Sequence, residues 1–239
     1  MTMTTQPTVS NADLKSLGRA LPFWTSLILV PLAWIAAIYG GWAILLLPVA
    51  TWHLFSLLDA ILGQYTENAD PETKTEDLFW YRVITLIWAP VQFVTIFGIL
   101  WYVTRHDHLS GVGEWALFIA LGIASGTIGI NYSHELLHQK PKIERWLGDI
   151  LLAMVLYSHF RSEHLLVHHR YVGTPRDPVT ARYNEGFHRY FPRVLRECPQ
   201  SAFRAEAQML GRKNLPWHHL SNPFWRYAAL QLAFILLAF

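Results

Sequence analysis

Four runs of apolar residues, each about as long as a bilayer's hydrocarbon core is thick, constrain this chain more than any other feature. A spanning helix needs about 20 mostly apolar residues, and segments 21–39, 42–62, 79–103 and 115–133 meet that need. Lipid offers no partner to backbone polar groups, so each run must satisfy its own hydrogen bonds as a helix. The expected class is an all-α, polytopic membrane protein. Composition agrees: 52% of the 239 residues are apolar and 15% charged, against about 25% charged in ordinary soluble domains. A net charge of +2 gives no ground for a nucleic-acid partner.

Gly40-Gly41 between the first two runs predicts a tight turn and a helical hairpin. Residues 1–20 read as an N-terminal tail; they lack the basic start and short apolar core of a signal peptide. Lys15, Arg19, Lys74, Arg82, Lys140, Lys142 and Arg145 flank the runs on one side, and Arg105 on the other. The positive-inside rule then places the tail, the loop after the second run and everything just beyond the fourth in the cytoplasm. The apolar stretch within 146–160 is too short to cross, so it is expected as an interfacial helix. An arginine-rich cytoplasmic region, 161–222, follows, and a fifth span starts within 224–239. That last run reaches Phe239 with neither a C-cap nor closing charges, which predicts a chain that continues.

The chemistry is carried by histidine. There are twelve, against a single cysteine, Cys198, which excludes cysteine-based metal clusters within the chain. His134 and His138 stand four apart at the inner end of the fourth run, and His164 and His168 repeat that spacing beyond the short helix. Residues four apart share a helix face. His169 adds a donor turned about 100° from His168 in a regular helix. Five imidazoles suit zinc, iron, copper or nickel. One zinc would leave histidines unused, whereas two metals would use all five and need more. His134-Glu135-Leu136-Leu137-His138 also spells the H-E-x-x-H of zinc proteases, with Glu135 as general base; that reading accounts for one cluster only. A non-catalytic metal-binding membrane protein is a further alternative. His53, His106, His108, His188, His218 and His219 are read as structural or surface polarity, and His159 as structural though close to the site.

H-E-L-x-H-x-K at 134–140, followed by E-H-x-x-x-H-H at 163–169, resembles the first two histidine boxes of the membrane alkane monooxygenase family, within the histidine-box desaturase and hydroxylase superfamily. Thr174-Pro175-Arg176-Asp177-Pro178, Arg196-Glu197-Cys198-Pro199 and Ala202-Phe203-Arg204 extend the likeness, with a weaker echo at Leu57-Leu58-Asp59-Ala60. It covers most of residues 42 to 210. The family's third box does not occur within this sequence. The resemblance implies a multi-pass inner-membrane protein whose non-haem di-iron site, two iron ions, faces the cytoplasm. It implies terminal hydroxylation of alkanes or similar apolar chains with O2 and electrons from a rubredoxin-type donor. Its iron ligands here are His134, His138, His164, His168 and His169, with Glu135, Glu163 and Asp177 as carboxylate neighbours. The 1–239 chain alone is expected to be inactive. Other histidine-box enzymes, namely fatty acid desaturases and xylene-type or carotenoid oxygenases, are the nearest alternatives; desaturase second boxes typically read H-x-x-H-H. Arg161, Arg170, Arg176, Arg182, Arg189, Arg193, Arg196 and Arg204 suggest a docking surface for an acidic electron donor. Positive-inside bias beside anionic lipid explains the same arginines equally well.

Overall fold

Every described element is helical; the computed structural model describes residues 11–63 and 78–239. The loop that carries Lys74 and the first ten residues lie outside that range. The chain divides into two units, 1–132 and 133–239.

Four helical stretches are long and apolar enough to cross a membrane: Leu17–Tyr39, Gly41–Ile61, Phe79–His106 and Gly111–Leu137. They are built from α1 (Asn11–Trp24), α2 (Leu29–Tyr39), α3 (Leu46–Val49), α4 (Phe55–Leu62), α5 (Phe79–His106), α6 (Gly111–Ala124) and α7 (Ile130–Leu137). Short 3-10 turns at Thr25–Ile28 and Gly41–Leu45 precede Pro31 and Pro48. A proline ring displaces the carbonyl four residues earlier, here that of Leu27 or Ile44, so the backbone tightens on that side. Gly40 and Gly41 make the hairpin with φ of 60° and 52°, and a side chain at Gly40 would collide with Leu109. Within this first unit α2 packs on α3, α5 and α6. Ala33, Ala36, Ala37, Ala120 and Ala124 are buried at these contacts, where small side chains let helices approach closely in lipid. α6 passes into α7 through a π-turn at Ser125–Gly129.

The second unit holds α8 (Lys142–Met154), the short α9 (Phe160–Ser162), a π-turn at Glu163–His168, α10 (His169–Tyr171), α11 (Phe187–Gly211) and α12 (Pro223–Leu237), a 15-residue apolar helix. α8 ends earlier than its apolar sequence suggests. The Leu156 N–H donates to Ala153 and the Tyr157 N–H to Leu152, with Leu156 at φ 56°. This is a Schellman closure in which leucine occupies the position glycine usually takes, so no glycine marked the stop. Asp149, 3% exposed on α8, accepts from Arg161 at 2.8 Å and pairs with Arg226 of α12 at 3.1 Å. Ser162 of α9 links Glu206 of α11 at 2.5 Å and Tyr227 of α12 at 2.9 Å.

Candidate metal centre

All five singled-out histidines lie in the second unit, on two segments. His134 sits in the last turn of α7, and His138 one residue beyond its end, before Pro141. Their rings are 4.9 Å apart between centroids. α8 is held beside this turn because Ser133 donates to the Gly148 carbonyl at 3.0 Å. Gly148 leaves only 3.2 Å between an added Cβ and the Ser133 carbonyl oxygen. His164 and His168 lie on the π-turn, and His169 opens α10.

The two segments meet. One ring nitrogen from each of His134, His138 and His164 falls within 4.8 Å of the others. The His164 Nε2 is 3.0 Å from that of His138 and 2.9 Å from that of His169. The local winding brings His169, expected as a fifth donor, to the pair. A π-turn closes i to i+5, which brings His164 and His169, five apart, onto one side, with ring centroids 4.4 Å apart. His168 is 5.5 Å from His164 in near-parallel stacking.

Two carboxylates behave differently. Asp177 is 1% exposed and accepts from His168 Nδ1 at 2.9 Å, Thr180 Oγ1 at 2.6 Å and the Val179 N–H at 3.0 Å. Burial alone would raise its pKa, but the hydrogen bonds from Thr180, His168 and Val179 outweigh it and the pKa is lowered. Glu163 is likewise 1% exposed, yet neither oxygen has a hydrogen-bond partner among the described residues. Burial first, then the Asp177 charge, raises its pKa to about 7 against the pull of His168. Glu135 is exposed, with Oε1 3.1 Å from His134 Nδ1.

Burial and, after it, the neighbouring histidines lower the pKa of His164 to about 3; burial and the charges of His134 and His169 lower that of His138. These imidazoles are therefore neutral near pH 7. A neutral ring carries one donor and one acceptor nitrogen, so the single Nε2 of His164 can satisfy only one of its two Nε2 neighbours. A cation accepts all three lone pairs at once. The donor set fits a divalent transition metal.

Sequence reading missed several supports. Phe160 stacks on His164 at 5.1 Å with 16° between planes, an i,i+4 aromatic pair that its spacing could have shown. Thr180 and Val179 cradle Asp177, an Asx turn that the run Asp177-Pro178-Val179-Thr180 could have signalled. Arg193, expected in a docking surface, is instead buried. It pairs with Glu185 at 2.6 Å and donates to the Pro178 carbonyl at 2.7 Å, holding the Asp177 loop. Arg161 is engaged with Asp149, so it too serves the fold. Arg170, Arg176, Arg189, Arg196 and Arg204 are exposed.

The fatty acid desaturase family model matches residues 112–239. Alkane 1-monooxygenase 2 of Pseudomonas aeruginosa is 33% identical over 228 residues, 92% of this chain and 57% of its own length. An alkane 1-monooxygenase of Pseudomonas putida is 34% identical over 80% of this chain and 48% of its own. Alkane 1-monooxygenase 1 of Alcanivorax borkumensis is 35% identical over 87% and 53%. The chain thus spans about half the length of the curated relatives it matches.

Proposed function

The chain belongs to the fatty acid desaturase family, and on that premise we propose that it forms the histidine-bearing part of a non-haem di-iron monooxygenase that hydroxylates the terminal carbon of alkanes or similar apolar chains with O2. The observation that carries this reading is the convergence of His134, His138 and His164 on one point, in a chain that aligns with alkane 1-monooxygenases over most of its length.

In this reading His134, His138, His164, His168 and His169 hold the metal, two irons by family resemblance. Bound iron supplies the oxygen-activating chemistry that an unactivated C–H bond demands and no side chain offers. The chain's own residues prepare the place. His164, kept neutral by burial, presents a lone pair without first shedding a proton. Asp177 accepts the Nδ1 proton of His168 and leaves its Nε2 free to ligate. Glu135 stands in the same relation to His134, and Glu163 supplies a buried carboxylate beside His168. Apolar side chains of the spans bind a hydrocarbon at about 0.8 kcal/mol per buried CH2 with little directionality. The carbon attacked then depends on where the chain end is stopped.

Electrons arrive from a rubredoxin-type donor, which the exposed Arg170, Arg176, Arg189, Arg196 and Arg204 would attract by charge. The lysines and arginines that flank the spans support a cytoplasm-facing site in a multi-pass inner-membrane protein.

The test is product formation from octane and isotopically labelled O2 by the intact protein in membranes. Labelled 1-octanol is expected, and His138→Ala and His168→Ala should each abolish it and lower bound iron. Unchanged iron content in both variants would sink the assignment.

A further inference from the structure

Gln92 is a polar side chain in the middle of a spanning helix, α5, and only 3% exposed. Its Oε1 accepts from the indole of Trp88 at 2.9 Å. An indole N–H can only donate, so the atom facing Trp88 must be the oxygen, and this fixes the amide's orientation. The Nε2 is then turned away from Trp88, and it has no hydrogen-bond partner among the described residues. A buried amide donor left unpaired in an apolar setting is costly and rare.

Gln92 lines a cavity with room of about 20 Å³ for a water-sized group, bounded by α2, α5 and α6 within the first unit. Its wall runs from the buried Leu29, Ala33 and Leu121 to the half-buried Val30 and Val91. The hydroxyl donors of the lining are already used: Thr95 donates to the Val91 carbonyl at 2.8 Å and Ser125 to that of Leu121 at 2.7 Å. Gly129, in the π-turn after α6, gives the Gln92 amide the room it fills, since an added Cβ there would meet both its oxygen and its nitrogen. π-turns inside helices are frequent at functional sites.

The geometry points to a second binding site, inside the span bundle, for an apolar chain that carries a single acceptor oxygen (a ketone, ester or alcohol). The oxygen occupies the cavity and accepts from Gln92 Nε2, and the alkyl chain leaves past Val30 and Val91. A saturated hydrocarbon gains nothing from that donor. The site therefore discriminates oxygenated chains from plain ones, a property that requires neither metal nor turnover.

The experiment uses the full chain purified in an alkyl maltoside and 2-dodecanone carrying a 13C carbonyl. Isotope-edited infrared spectroscopy should show a protein-bound band at lower frequency than the ketone in empty micelles. Gln92→Met, which keeps volume and loses the donor, should abolish that band. It should also cut the preference for 2-dodecanone over dodecane by about two- to tenfold, the worth of one net hydrogen bond. An unshifted band in the unaltered protein overturns the proposal whatever the variant does, because the donor then serves water or nothing. A shifted band that survives in a folded Gln92→Met protein overturns it as well. Neither result bears on octane hydroxylation or iron content.

Discussion

The Nε2 atoms of His138 and His164 stand 3.0 Å apart, although 26 positions separate the two residues in sequence. Two neutral imidazoles at that distance are satisfied by one shared proton. The third nitrogen, from His169, lies 2.9 Å from His164 and leaves the set with lone pairs that no proton count can serve. The surroundings of this cluster make further predictions.

Asp177→Asn keeps the size of the side chain but removes the charge that holds the Nδ1 proton of His168. Outer-shell partners of this kind are worth about 10- to 100-fold in metal affinity. Iron bound by the variant, measured by elemental analysis at limiting free metal, should fall by that order while helical content stays unchanged.

Gly148→Val should separate α7 from α8. A Cβ at this position already sits 3.2 Å from the Ser133 carbonyl oxygen and 3.3 Å from Leu136 Cβ, and two further methyls have no room. Overpacking typically costs about 1–3 kcal/mol. A lowered unfolding midpoint should be accompanied by loss of metal, because the same turn carries His134 and His138. A variant as stable as the parent would contradict the packing described.

His159 should give the metal-free protein part of its acid sensitivity. Burial lowers its pKa to about 4 from the ordinary 6.5, and its Nε2 is buried with no partner among the described residues. A lowered folded-state value means that the stabilising contribution is complete above 6.5 and is lost as pH falls toward 4. His159→Phe, which preserves the aromatic contact with Tyr157, should flatten the decline in thermal midpoint between pH 6.5 and 4. The readout is a set of melting curves across that window, and an unchanged slope would count against a neutral buried imidazole.

Cys198 should be inert in the folded protein. It is 2% exposed, and burial, reinforced by the charges of Glu163 and Asp177, raises its pKa to about 12. Since the thiolate is the reactive form, maleimide at pH 8 should leave the native chain unlabelled and add one label after denaturation, as mass spectrometry would show.

Much of this architecture was legible in the residues. Four apolar runs in 239 residues can satisfy their backbone in lipid only as helices, and Gly40-Gly41 permits the hairpin because both backbones take positive φ. The i,i+4 spacing of His134 with His138 and of His164 with His168 follows from the chain alone. Tertiary structure decided the rest. Whether two distant segments meet depends on α8, on the Ser133–Gly148 bond beside it and on a closure at Leu156 that no glycine announced. His169, expected as a fifth donor, reaches His164 because six residues wind as a π-turn. Arg193 and Arg161 look in sequence like the other arginines of this region, yet Glu185 and the buried Asp149 claim them. Periodicity reports which groups share a face; which face finds a partner, and which charge finds its counter-charge, is settled only when the helices pack.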